Sequence, residues 1–234
     1  MNILLLMMGG TGTRFGADIP KQYIEVENKP LYTYILKRYS QLDFIDKIVI
    51  VSHKDWLDFV KEWNEKLEIG KVAAVTAGGD TRSESVLNGL NAINAFASDD
   101  DVILIHDATH PYVDKEGTLK IIEAVKKYGG ATLGACQYDT MYKMDDDNML
   151  TEVVPRKYIV SGASPEAFSF KLIYDIYKNA DPAYFEVMTS AGAIALSNNI
   201  PMQVIPTDLV NLKITHREDL EVCKKLLTNY FFTE

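Results

Sequence analysis

Ile3-Leu4-Leu5-Leu6-Met7-Met8-Gly9-Gly10-Thr11-Gly12-Thr13-Arg14-Phe15-Gly16 opens this chain, and Pro20-Lys21-Gln22 follows shortly after. The apolar run predicts a short buried strand. The glycines that break it predict a loop whose backbone N–H groups can lie against phosphate. Arg14 and Lys21 add fixed positive charge beside that loop. The common glycine motifs fit poorly: no Gly-Lys-Ser/Thr ending is present, and Gly10, Gly12 and Gly16 are spaced G-x-G-x-x-x-G rather than G-x-G-x-x-G. Glu25 and Glu27 lie too close, and Asp43 and Asp46 too far, to supply the ribose-binding acid of a dinucleotide site. Alone, the loop reads either as a phosphate cradle or as a tight β-to-α turn with no ligand.

Outward from that strand, apolar runs recur at Lys47–Ser52, Val72–Thr76, Val102–His106, Ala131–Cys136 and Met202–Pro206. Between them, Pro30–Leu42, Trp56–Leu67, Ser83–Ala97 and Lys115–Tyr128 carry apolar spacings of three and four. Alternating strands and helices predict an α/β fold with a mainly parallel sheet covered on both faces. Such sheets bind ligands beyond the carboxyl ends of their strands. The glycine loop, Ser52-His53-Lys54, Gly78-Gly79-Asp80 and Asp107-Ala108 all lie just past strand ends, so all can face one crevice. Residues 137–161 differ: two alternating stretches flank Asp145-Asp146-Asp147-Asn148, which predicts a projecting β-hairpin arm with a solvated acidic turn. The whole of 1–234 reads as one domain carrying that arm.

The chain has 234 residues, 47% of them hydrophobic, with a net charge of −9, enough chain for a sizeable core and no basic face for general nucleic-acid binding. No apolar run approaches a membrane span, and the N-terminus reads as a first strand rather than a signal peptide. Cys136 and Cys223 show neither metal nor disulfide spacing and are expected as half-buried thiols in a reducing cytosol.

Three further stretches carry chemistry. Gly78–Val86 places two glycines, hydroxyls and Arg82 at a helix N-terminus, either as a plain capped helix or as a nucleotide pocket rich in free N–H groups. Asp107, just past a buried strand, suits a helix cap or a Mg²⁺ ligand facing phosphates. Lys213 sits in the strand-like stretch Asn211–Thr215, where a lysine is costly unless it meets an anion.

Taken together, Met8–Arg14, Pro20–Tyr23, Gly78–Arg82, Ser85-Val86, His106–Ala108 and Asn211–Thr215 resemble, in order and over nearly the whole chain, the cytidylyltransferases of the methylerythritol phosphate and ribitol phosphate type. That resemblance implies a Rossmann-like nucleotidyltransferase fold, a homodimer joined through the arm, CTP, Mg²⁺ and a cytoplasmic enzyme that makes a CDP-alditol and pyrophosphate. It implies that Arg14, Lys21 and Lys213 carry catalysis. Met8, Gly9, Gly10, Thr11, Gly12 and Lys21 would surround the nucleotide phosphates, and Gly79, Asp80, Arg82 and Ser85 the base and ribose. Asp107 would hold the metal and, with Thr140, Arg156, Ser164 and Lys213, the acceptor.

Departures from the pattern cluster on the acceptor side. His110 stands where the family usually has an arginine, Ala163-Ser164-Pro165-Glu166 replaces a segment rich in amides, and Thr189-Ser190-Ala191 lacks the usual carboxylates. His110 reads as a pH-dependent donor or as a neutral residue at the pocket rim. Another sugar or alcohol phosphate acceptor, or a nucleotide-binding protein without catalysis, are the competing readings.

Overall fold

A computed structural model describes residues 1–10, 19–181, 183, 188 and 190–232. The opening strand forms as its composition dictates: β1 spans Asn2–Met8, with six consecutive buried residues. Further strands are β2 (Glu25–Val26), β3 (Lys29–Pro30), β4 (Lys47–Ser52), β5 (Val72–Ala77), β6 (Val102–Asp107) and β7 (Gly130–Cys136). The helices among them are α1 (Leu31–Ser40), α2 (Leu57–Lys66), α3 (Arg82–Asn94) and α4 (Lys115–Tyr128). The arm follows as β8 (Met141–Met144) and β9 (Leu150–Val154), then β10 (Val160–Ser169), α5 (Phe170–Asn179), α6 (Ala191–Ser197), β11 (Met202–Thr207) and α7 (Arg217–Leu226).

The main sheet has seven strands in the order β11-β7-β10-β6-β1-β4-β5. Its odd and even residues feed two cores. Leu4, Leu6 and Met8 pack with α1, α2 and α4 on one face. Ile3, Leu5 and Met7 pack with α3, α5 and α6 on the other. A strand buried on both faces explains why β1 reads as a continuous apolar run rather than an alternating one.

The order places a topological switch beside β1. From β1 the chain moves outward to β4 and β5, then returns to lay β6 on the opposite edge of β1. Parallel register keeps the carboxyl ends level: Met8 pairs with Ser52, Ser52 with Ala77, and Met7 with Asp107. A crevice opens where neighbouring crossovers leave in opposite directions.

The sequence reading did not include β10, which runs antiparallel between β6 and β7. Pro165 and Gly162 speak against a central strand. The structure accommodates the proline at a register shift between Ala163 and Glu166. The arm is present as a separate two-stranded sheet, β8 with β9, and its acidic turn is closed by Asp145, which accepts from the N–H groups of Asp147 and Met149. The thiols are not alike: Cys136 is exposed and Cys223 buried. No helix among the described residues is long and apolar enough to cross a membrane.

Helix α3 crosses the sheet closely at Gly89. A Cβ there would lie 2.4 Å from Leu5 Cδ1 and 2.8 Å from Val51 Cγ2. Gly89→Ala is therefore expected to destabilise the protein by about 1–3 kcal/mol through overpacking, despite alanine's better helix propensity. Urea denaturation checks this; an unchanged or raised midpoint would show that Leu5 and Val51 give way without cost.

Candidate active site

A cavity of about 510 Å³ lies over the carboxyl ends of β1, β4, β5 and β6. Its first wall is Met8, Gly9 and Gly10 with Lys21 and Gln22. Thr11, Gly12 and Arg14, three of the expected phosphate-side residues, lie outside the described residues. Lys21–Tyr23 form a single 3₁₀ turn that is fastened beneath the glycines. The buried Gln22 side chain donates to the carbonyls of Met8 and Gly10, both at 2.8 Å, and Tyr23 Oη donates to the Met8 carbonyl at 3.2 Å. Lys21 reaches the opposite side of the site, where its Nζ donates to the Ile214 carbonyl at 2.5 Å.

The second wall is Gly78, Gly79, Asp80 and the start of α3. Gly78 and Gly9 meet nearly backbone to backbone: a Cβ on Gly78 would lie 3.2 Å from Gly9 Cα and 2.7 Å from Ser85 Oγ. Side chains there would wedge the two glycine turns apart. The free N–H groups expected at α3 are largely taken. Thr81 and Glu84 form a capping box, Glu84 also accepts from the Asp80 N–H, and Ser85 Oγ accepts from the Gly79 N–H while donating to the Thr81 carbonyl. Ser85 thus shapes the Gly79-Asp80 turn as well as lining the cavity.

Asp107 ends β6 at the cavity edge and gathers two cations. Arg82 Nη2 donates to its Oδ1 at 2.9 Å and Lys213 Nζ to its Oδ2 at 3.2 Å. Burial alone would raise the Asp107 pKa, but the Arg82 and Lys213 charges outweigh it and hold the carboxyl well below the usual range. Arg82 also lies 4.0 Å from Glu166 Oε2. Glu166 is spent on α6, accepting from the N–H groups of Ala191 and Gly192, and burial pushes its pKa up.

This geometry speaks against Asp107 as a metal ligand. Both carboxylate oxygens already accept charge-assisted hydrogen bonds from cationic side chains, which a divalent cation at the same oxygens would have to face. Asp107 instead fits as the group that positions Arg82 and Lys213.

Lys213 is not in a strand. Residues 208–215 are irregular, and the Lys213 side chain is 50% exposed, so the expected desolvation is absent although the anion is there. The stretch is held by Asn211, which accepts from Tyr112 Oη at 2.8 Å and donates to the Gly162 carbonyl at 3.1 Å. These bonds replace a sheet ladder.

Ser164 lies beneath Asp107, 95% buried, and its Oγ is 2.6 Å from His110 Nδ1. His110 is buried rather than at a rim, and burial pushes its pKa down to about 3, so it is neutral near pH 7 and does not replace an arginine's charge. Thr140 and Arg156 are not brought to this cavity. Both are exposed on the arm side, and Arg156 donates to the Tyr138 carbonyl. His53 and Lys54, expected to face the crevice but given no role, line the cavity, and so does Gln22, which the sequence reading did not place there. The position of His53 and Lys54 past β4 was a usable signal; Gln22 gave none by residue type.

The sequence profile described as 2-C-methyl-D-erythritol 4-phosphate cytidylyltransferase matches residues 2–229. The chain belongs to that family. A 2-C-methyl-D-erythritol 4-phosphate cytidylyltransferase of Thermotoga neapolitana is 33% identical over 224 residues, covering 96% of each chain. A ribitol-5-phosphate cytidylyltransferase of Streptococcus agalactiae is 30% identical over 227 residues, covering 97% of this chain and 95% of its own. The crystal structure of 4-diphosphocytidyl-2C-methyl-D-erythritol synthase from Anaerococcus prevotii superposes with a TM-score of 0.78 at 26% identity, covering 97% and 98% of the two chains. This chain is therefore a cytidylyltransferase, one of the nucleotidyltransferases, and its Rossmann-like sheet is the family's fold.

Proposed function

We propose that this cytidylyltransferase transfers CMP from CTP to the phosphate of an alditol phosphate, of the ribitol 5-phosphate or 2-C-methyl-D-erythritol 4-phosphate type, and releases pyrophosphate. The observation that carries the reading is the convergence on one cavity of a glycine turn, Lys21, and the Arg82–Asp107–Lys213 cluster. An acceptor phosphate is already an anion near neutral pH, so no side-chain nucleophile is required. One of its oxygens attacks the α-phosphorus of CTP. The new P–O bond forms as the α–β bridge breaks, and the electron pair leaves with pyrophosphate. The protein's work is to hold two anions in line and to stabilise charge in the transition state. Lys21 faces the nucleotide phosphates and Lys213 the acceptor phosphate in this reading. Arg14 joins them by the resemblance alone.

A divalent cation, Mg²⁺, fits the reading best as a companion of the CTP phosphates, whose charge it would neutralise, rather than as a guest of Asp107. The arm supports a homodimer. Tyr138, Tyr158 and Leu150 are 77%, 76% and 66% exposed there, an apolar surface that a second copy would cover. Thr140 and Arg156, remote from their own cavity, would then serve the partner's acceptor site. A cytoplasmic location accords with this reading.

The acceptor itself is the open choice, because relatives of both kinds match at 33% and 30% identity. A different sugar or alcohol phosphate is the second reading, favoured by a neutral His110 and a Glu166 committed to α6. Pyrophosphate release with CTP, Mg²⁺ and a panel of phosphorylated alditols tests both. Turnover with ribitol 5-phosphate points to cell-wall polymer supply, and with 2-C-methyl-D-erythritol 4-phosphate to isoprenoid supply. Failure with every acceptor, despite CTP binding, would sink the alditol reading. In the same assay Lys213→Ala is expected to raise the acceptor KM and lower kcat/KM by about 100-fold, with CTP affinity nearly unchanged. A matching loss of CTP affinity would remove Lys213 from the acceptor side.

A further inference from the structure

The Pro20–Tyr23 motif contributes Lys21 to the site, but the residue after it has no role in the chemistry above. Gln22 is 98% buried, an unusual place for an amide, whose polar atoms must all find partners inside the protein. Its two N–H bonds are both spent on the glycine turn, one on the Met8 carbonyl and one on the Gly10 carbonyl, each at 2.8 Å. Those carbonyls bracket the Gly9-Gly10 pair, one before it and one after it, where the chain leaves β1. In a trans peptide the C=O and the following N–H point in opposite directions. Fixing the Met8 carbonyl toward Gln22 therefore turns the Gly9 N–H away from Gln22. Gly9 and Gly10 line the cavity, and among the described residues a Cβ on Gly10 would meet nothing within 4 Å.

We infer that Gln22 is a positioning residue for the triphosphate of CTP: it sets the carbonyl side of the glycine turn so that the opposite side faces the phosphates. The inference rests on the cytidylyltransferase reading of the cavity and on the glycine turn as a phosphate cradle, and it is independent of which acceptor is used. Glutamine suits the task because it offers two donors and no charge. Glutamate at the same place offers none when ionised and one when protonated. A lysine or arginine would bring a buried charge among carbonyls.

The test uses the full chain and three probes, CTP, inorganic pyrophosphate and CMP, in direct binding titrations. Gln22→Glu is expected to weaken CTP and pyrophosphate binding by about 10- to 100-fold at about pH 8, the scale of the two hydrogen bonds lost from the turn, while CMP stays within about twofold. The loss should shrink as the pH falls toward about 6, because a buried carboxyl takes up a proton readily and regains one donor. Gln22→Met, similar in size and uncharged, should show a comparable loss with no such pH rescue, and it carries the test if the glutamate variant does not fold. Variants that bind CTP as the parent does, or that lose CMP in proportion to CTP, would overturn the role of Gln22. A parent that binds CTP no better than CMP would instead overturn the phosphate cradle, and the inference with it.

Discussion

Lys21→Ala is expected to lower kcat/KM for pyrophosphate release by about 100- to 1,000-fold, the usual result of removing one preorganised charge donor from a transition state. The argument begins with how firmly Lys21 is held. Its 3₁₀ turn is anchored on either side of the lysine by local structure: Pro20 fixes the entry, and Gln22 and Tyr23 fasten the exit to β1. A cation so placed needs little reorganisation when charge develops on phosphate. Lys21 also donates to the Ile214 carbonyl, the residue after Lys213. The two lysines are therefore linked through one backbone segment, and their effects should not add. In a double-mutant cycle, Lys21→Ala and Lys213→Ala together are expected to cost less than the sum of the two, by about 0.5–3 kcal/mol. Lys21→Arg should recover only part of the rate, because a planar fork cannot reproduce a point charge of this reach. Near-parental turnover of Lys21→Ala would remove Lys21 from the chemistry. Strict additivity would remove the link to Ile214.

Much of this site is legible in the sequence because parallel α/β chemistry is local in sequence at each strand end. Gly9-Gly10, Gly78-Gly79-Asp80 and Asp107 each follow an apolar run, and the register of β1 with β4 and β6 puts those ends side by side. What the residues alone do not give is long-range. Asp107 reads equally as a metal ligand until Arg82, 25 residues away, and Lys213, 106 residues away, are seen on its two oxygens. Lys213 reads as a strand residue because Leu212 and Ile214 flank it, whereas the bonds that organise the stretch come from Tyr112 and Gly162. Strand β10 is hidden by a proline that a register shift accommodates. Gln22 is hidden because buried amides have no periodic signature. Thr140 and Arg156 were expected near the acceptor and instead sit on the arm, where only a second copy could give them that role.

Acidification is expected to destabilise the protein well before its carboxylates titrate, because two neighbouring histidines are buried in neutral form. His106 is fully buried beside β6. Its Nε2 must carry the proton, since it faces the His110 carbonyl at 2.9 Å, leaving Nδ1 to accept from Tyr39 Oη at 3.0 Å. Burial pushes its pKa down to about 4 and that of His110 to about 3. Both folded-state values lie below the unfolded value near 6.5. Above that value neither state binds the protons and stability is full. As the pH falls below it the unfolded chain takes up protons that the native state refuses, so stability is lost from about pH 6.5 downward until the folded values are reached. Between about pH 7.5 and pH 5 each histidine should remove about 2 kcal/mol. Asp107 contributes little in that window, because its folded value is depressed and its loss sets in as the pH falls through the ordinary carboxylate value near about 4. Glu166, raised by burial, acts with the opposite sign near the lower end and blunts the loss. Urea denaturation across this range measures the sum. His110→Gln keeps a neutral polar group beside Ser164 and should remove about half of the slope. A slope unchanged in that variant would mean that His110 takes up its proton as readily in the folded protein as in the unfolded chain, so that Ser164 and Asp107 sit beside a cation rather than a neutral ring; a flat profile in the parent would say the same of both histidines.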